Sequence, residues 1–211
     1  MRQTLCVVGI SVFFAAAMNA QQENQRFSFD FGGGFTQPVG NTGRHLDEGW
    51  NIEGGVGYNF SQYVGAMIDV GYNSFGINSA TLNNLGFPGG DLHVFSATLD
   101  PIIHLTPHHH VDVYVTGGGG LFHRYQEFTQ PTISTVTFFD PFFGGFYPVA
   151  VPTNQILSSY SVNKPGVDIG AGIAIGTKWH GKFFAEARYD RIFMGNDRHT
   201  DFLPISFGFR W

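Results

Sequence analysis

From residue 26 to residue 211, apolar and polar side chains alternate every second position in eight stretches. A period of two belongs to strands, because successive side chains point to opposite faces. The stretches are 26–36, 50–60, 63–75, 92–105, 111–125, 166–177, 182–193 and 203–211. The sixth shows the pattern most plainly: Val167, Ile169, Ala171, Ile173 and Ile175 against Asp168, Gly170, Gly172, Ala174 and Gly176. The last sets Leu203, Ile205, Phe207, Phe209 and Trp211 against Pro204, Ser206, Gly208 and Arg210. Pro101 removes one ladder donor from the fourth stretch and weakens it locally.

The second face of nearly every stretch is Gly, Asp, Ser or Asn. A soluble antiparallel barrel buries its apolar face inside, and these small polar residues would line a poor apolar cavity. A membrane barrel inverts that arrangement, with apolar residues toward lipid and a narrow polar lumen. The connections support the inversion. Residues 37–49, 76–90, 126–163 and 194–200 form longer links, whereas tight turns fall near Ser61, at Thr106-Pro107 and at Trp179-His180-Gly181. Such asymmetry is typical of outer-membrane barrels, with short periplasmic turns and longer external loops. The expected fold is therefore all-β: an eight-stranded antiparallel transmembrane up-and-down barrel over residues 26–211, with both termini periplasmic.

Residues 1–20 read as a cleavable signal peptide. Arg2 gives a basic start, Leu5 to Met18 is nearly all apolar, and cleavage fits after Ala20 or after Ala17. The stretch is too short to span a bilayer as a helix. Cys6, the only cysteine, lies within it, so a mature chain holds no disulfide and no cysteine-based metal site. Charged residues make up 13%, about half the usual soluble share, and there is no basic patch, which argues against nucleic acid. Phe alone numbers 23 and Gly 29, yet no apolar run after Met18 is long enough for a membrane helix.

The segments Gly54-Gly55-Val56-Gly57-Tyr58, Asp69-Val70-Gly71-Tyr72 and Ala171-Gly172-Ile173, followed by the ending Phe207-Gly208-Phe209-Arg210-Trp211, resemble the OmpA/OmpX-type family of small bacterial outer-membrane β-barrel proteins. The resemblance covers residues 26–211. It implies an eight-stranded barrel without cofactor, in the outer membrane, surrounded by lipid. It also implies delivery by periplasmic chaperones and the barrel-assembly machinery, for which Leu203, Ile205, Phe207, Phe209 and Trp211 form the C-terminal assembly signal. OmpA-type proteins often carry a periplasmic peptidoglycan-binding domain after the barrel. This sequence stops at its eighth stretch, so no such tether is expected.

The polar phase carries a recurring carboxylate: Asp30, Glu53, Asp69, Asp100, Asp112, Asp168 and Glu186, together with Arg124, Arg188 and Arg210. Buried charges persist only when paired. The expectation is a salt-bridged network that plugs the lumen, the alternative being a narrow cation-preferring pore. His108-His109-His110 sits in a turn, where adjacent side chains diverge and no common metal ligation is expected. Two lipid-modifying enzyme families share this architecture. Here His93 and His123 fall on the lipid phase, Ser158 and Ser159 lie in the third link, and no acid is expected to orient either histidine, so no catalytic residues are assigned. That third link concentrates Phe138, Phe139, Phe142, Phe143, Phe146 and Tyr147. Thr132 to Phe138 and Phe146 to Val151 could pair as a hairpin above the membrane. The patch could meet an extracellular ligand or rest on the outer leaflet. The expected role is an envelope scaffold with external loops for recognition or adhesion.

Overall fold

The structure, a computed structural model, describes residues 26–177 and 181–211. The signal segment and the Trp179-His180 part of its turn lie outside the described residues. Eight strands form: β1 (Phe27–Pro38), β2 (Leu46–Asn59), β3 (Val64–Ile77), β4 (Gly89–His104), β5 (Val111–Asp140), β6 (Gly145–Gly176), β7 (Lys182–Gly195) and β8 (Arg198–Arg210). Each pairs antiparallel with the next, and β8 pairs with β1, so the sheet closes on itself. The seam runs from Asp30 opposite Arg210 to Pro38 opposite Phe202. Trp211 extends it: Phe29 N–H donates to the Trp211 carbonyl at 2.8 Å, and Trp211 N–H donates back to Phe29 at 2.9 Å.

Strand phase follows the alternation. Phe31, Val56, Ile68, Leu99, Leu121, Ile169 and Phe207 are exposed on the outside. Ser28, Asp30, Asn51, Asp100, Asp168, Glu186 and Ser206 are buried inside. Large inward rings fit because glycines face them. A Cβ on Gly172 would come within 2.5 Å of the Tyr114 ring, and one on Gly208 within 2.6 Å of the Phe184 ring. Proline at position 101 leaves its mark: the β4–β5 ladder skips from Leu99–Gly119 to Ile102–Thr116, and the Thr116 hydroxyl donates to the Pro101 carbonyl at 3.2 Å.

Three departures from the alternation-based reading matter. First, several strands run further at the end away from the tight turns, and residues 126–163 are mostly strand. β5 and β6 pair without a break in the hairpin up to Asp140 opposite Gly145, with one bulge between Phe128 and Thr129. The segment is rich in Val, Ile, Thr, Phe and Tyr, the residues that favour strands. Pro131, Pro148 and Pro152 all occupy the same alternating class of cross-strand pair, opposite Asn154, Thr137 and Ile133. A proline is tolerated where the missing amide would point away from the partner strand.

Second, residues 76–90 hold a short helix, α1 (Ser79–Leu85). The Asn78 side chain caps it by accepting from Ala80 N–H at 2.8 Å, and Gly86 ends it with φ of +75°. Third, the lumen is not polar throughout. Leu46, Phe75, Ile77, Leu82, Leu92, Val94, Phe122, Ile192 and Phe202 form a continuous buried apolar layer toward the long-loop end. Met67, Ile102, Tyr114, Ala174 and Phe184 form a smaller one toward the other end.

Candidate functional site

Between the two apolar layers lies a cluster of ionisable side chains, and its positions follow from strand phase and register. Arg188 on β7 is the hub. Its Nη1 lies 2.7 Å from Asp100 Oδ2 and 3.8 Å from Asp168 Oδ1; its Nη2 lies 2.7 Å from Glu186 Oε1 and 3.3 Å from Asp69 Oδ2. Glu53 and Asp190 line a cavity of about 20 Å³ beside Arg188, which has room for about one water. Asp190 faces inward with the others and stands directly opposite Asp168 across the β6–β7 pair. Arg210 is the second cation. Its Nη2 lies 2.9 Å from Asp30 Oδ2, across the seam. Its guanidinium also lies 4.7 Å from the Tyr114 ring centroid and 5.2 Å from that of Phe184. The Tyr114 hydroxyl donates to Glu186 Oε2 at 2.8 Å, which ties the two arginine centres together.

Two residues of the expected network sit elsewhere. Asp112 belongs to a separate group near the short-turn end, with His104 Nδ1 at 2.7 Å and Lys182 Nζ at 3.1 Å. Arg124 is on the other side of the larger apolar layer and reaches no carboxylate among the described residues; its Nη2 donates to Gln126 Oε1 at 2.9 Å. An uncharged chain of hydrogen bonds lies above the Arg188 cluster. Ser206 donates to Asn51 Oδ1 at 2.9 Å, Asn51 Nδ2 to Thr36 at 3.1 Å, and Thr36 to Asn73 Oδ1 at 2.7 Å.

On the outside, His93 is not without an acid. Its Nδ1 lies 2.9 Å from the Tyr72 hydroxyl and 3.1 Å from Ser74 Oγ, while its Nε2 lies 4.0 Å from Glu127 Oε1. The sequence reading missed Glu127 because cross-strand register brings it there, not sequence proximity. The group departs from a working triad in two respects. Tyr72 competes with Ser74 for one ring nitrogen, and the carboxylate is beyond hydrogen-bond reach. Tyr72, His93 and Tyr125 instead stack ring on ring, at 5.8 and 6.1 Å. His123 Nδ1 is 2.6 Å from Asn163 Oδ1, and neither Ser158 nor Ser159 hydrogen-bonds a histidine among the described residues. His108 packs against Tyr63 at 5.9 Å. Among the described residues, no group of His, Cys, Asp or Glu is arranged to hold a metal ion.

The hairpin above the barrel is the other prominent feature. β5 loses its β4 neighbour after Thr129, so from Gln130 upward β5 and β6 pair only with each other. At about 3.3 Å per residue the two-stranded part reaches about 35 Å. Between Glu127 and Lys164, Asp140 is the only charged residue. At the tip, Phe142 is 94% exposed and Phe143 78%, and the Asp140 carboxylate accepts from Phe142 N–H to fix the turn. Phe139 and Phe146 pack together just below, at 5.2 Å. Phe138 and Tyr147 pair on the opposite face of the ribbon.

A closed ring with apolar side chains outward and charges inward defines an integral membrane β-barrel. The family follows from the sequence profile of the outer membrane protein beta-barrel domain, which matches residues 8–210. The chain belongs to that family and is an integral protein of the bacterial outer membrane. Among solved structures, Neisserial surface protein A superposes with a TM-score of 0.56 at 14% identity, over 87% of this chain and 95% of its own. A major outer membrane protein from Thermus thermophilus gives 0.57 at 13% identity, over 88% and 98%. At these identities the likeness establishes the fold. Comparison with curated proteins gives no match.

Proposed function

We propose that the protein is an envelope scaffold: a plugged barrel that holds an aromatic-tipped hairpin outside the membrane for recognition or adhesion. The observation that carries this reading is the β5–β6 ribbon. It stands clear of the barrel, lacks charge apart from Asp140, and exposes large apolar side chains on both faces and at its tip. Contiguous exposed apolar surface marks contact with a partner or with lipid. In this reading both termini are periplasmic, residues 1–20 are removed on export, and the outward-phase residues from Leu203 to Trp211 are read by the assembly machinery.

The plug rests on the Arg188 cluster and the apolar layer above it, which leave a lumen cavity of only about 20 Å³ at the charges. One observation favours the alternative, a narrow cation-preferring path: carboxylates outnumber arginines around Arg188 and Arg210. Planar-bilayer recording on refolded protein decides, since reproducible cation-selective openings would overturn the plug. For the hairpin, cells displaying the native chain or the double variant Phe142→Ser/Phe143→Ser are compared for retention on hexadecane droplets and on a eukaryotic cell monolayer. Equal retention, with equal surface display, would sink the adhesive role.

A further inference from the structure

The mouth of the barrel at the hairpin end contains a cavity of about 170 Å³, room for several waters. Arg124 from β5 lines it, with His45 from the segment before β2, His199 and Thr200 from β8, and Thr81 from α1. Arg124 Nε is buried and has no hydrogen-bond partner among the described residues, and Gln126 is the one side chain among them that the guanidinium hydrogen-bonds. No carboxylate of the described residues lies within ion-pair distance of it. Of the acids nearest in the strands, Asp91 and Glu127 take the outer phase, while Asp201, on the same face of β8 as His199, is held by Arg191 at 2.9 Å and by His199 at 3.2 Å. The acids of the Arg188 cluster lie beyond the apolar layer, whose Leu46, Ile77 and Leu92 form the cavity floor. Lys164, one inward position below Arg124 on the neighbouring strand, also has no ion pair among the described residues.

A part-buried guanidinium without a counter-charge is costly to keep. Charge-assisted hydrogen bonds to an oxyanion would offset that cost. The donors converge from three sides of the ring. His45 spends Nδ1 on Thr81, at 3.2 Å, and its Nε2 has no partner among the described residues. His199 spends Nε2 on Asp201, at 3.2 Å. The closed floor makes this a blind site, not a passage.

We propose that this vestibule binds a tetrahedral oxyanion, a phosphate or sulfate group presented from outside, with Arg124 as its anchor and His45 and His199 at its flanks. The site does not involve the hairpin, and it shares only its floor, the upper apolar layer, with the plug. The group can arrive as a free anion or on the phosphorylated headgroup of an outer-leaflet lipid; both carry the same chemistry.

The test uses the full barrel refolded in an alkyl maltoside, a detergent without phosphate. Inorganic phosphate is titrated by calorimetry in one arm. In the other, micelles are doped with lipid A or with its dephosphorylated form. Saturable one-to-one binding of inorganic phosphate, or binding of only the phosphorylated lipid, supports the site and tells the two sources apart. Arg124→Gln should weaken binding at least tenfold and Arg124→Lys less, with heat-modifiable gel mobility unchanged in both. Absence of binding in both arms, or equal binding by Arg124→Gln, would overturn the proposal.

Discussion

The same two strands live in two environments. Below Thr129, β5 has neighbours on both edges, and β6 gains its second neighbour, β7, from Gly166 downward; there lipid-phase residues take one face and packed lumen residues the other. Above it they keep their register with each other and lose everything else. Backbone pairing alone therefore continues where packing stops. A two-stranded ribbon without a covering layer is marginal in water. This one is attached to a closed barrel that holds its first pairs in place. The lower half is built to be stable, and the upper half is left available for contact.

That contrast can be strained at several points. The largest effect is expected from Arg188→Ala, which leaves Asp69, Asp100, Asp168 and Glu186 without their shared cation. Removing one partner of a buried pair costs about 3–5 kcal/mol. The urea midpoint of the refolded barrel should fall steeply, and an unchanged midpoint would mean that the cluster does not stabilise the lumen. Gly172→Leu comes next, because the new side chain meets the Tyr114 ring. Overpacking of this kind costs about 1–3 kcal/mol, read as a larger unfolded fraction on unboiled gels.

Deleting residues 131–153 should leave the barrel's urea midpoint nearly unchanged while abolishing retention on surfaces. A collapse of heat-modifiable mobility would show instead that the ribbon holds the barrel. Phe142→Ser/Phe143→Ser should shift stability by no more than about 0.5 kcal/mol, as expected at exposed sites. Smallest of all, Ser74→Ala should leave lipid A acylation in expressing cells as it is with the native chain. A changed acyl pattern would reopen a hydrolytic role for His93.

Much of the barrel was legible because phase survives small errors in length. Val167, Ile169 and Ile173 on one side, and Asp168 and Gly172 on the other, need only a count of two. The upper apolar layer shares that phase: Leu92 and Val94 alternate with His93 just as Ser96 and Thr98 alternate with Ala97. Phase places these apolar side chains inward but does not show that they gather from several strands into one layer. Phase also says nothing of height along the axis. Arg124 and Arg188 both point inward, yet one is the hub of the acids and the other is walled off from them by Phe122 and its neighbours. The staggered register decides such matters, as it does for Glu127 beside His93. Strand ends are the least legible part of the sequence: residues 126–163 read as a link, yet Pro131, Pro148 and Pro152 fall in positions a strand edge tolerates and the pairing runs on past them.

The seam between β1 and β8 has a consequence for how the chain reaches this state. Every other strand pair joins neighbours in sequence, whereas Asp30 and Arg210 are separated by 180 residues. Contacts of such separation form late, because the loop they close must lose its freedom before the contact rewards it. Ring closure is therefore expected to be the slow step of folding. Until it happens both edge strands have unpaired amides, and Asp30 lacks its cation. A partly folded sheet is thus marked as unfinished both by hydrogen bonding and by charge, and the two marks disappear in one event.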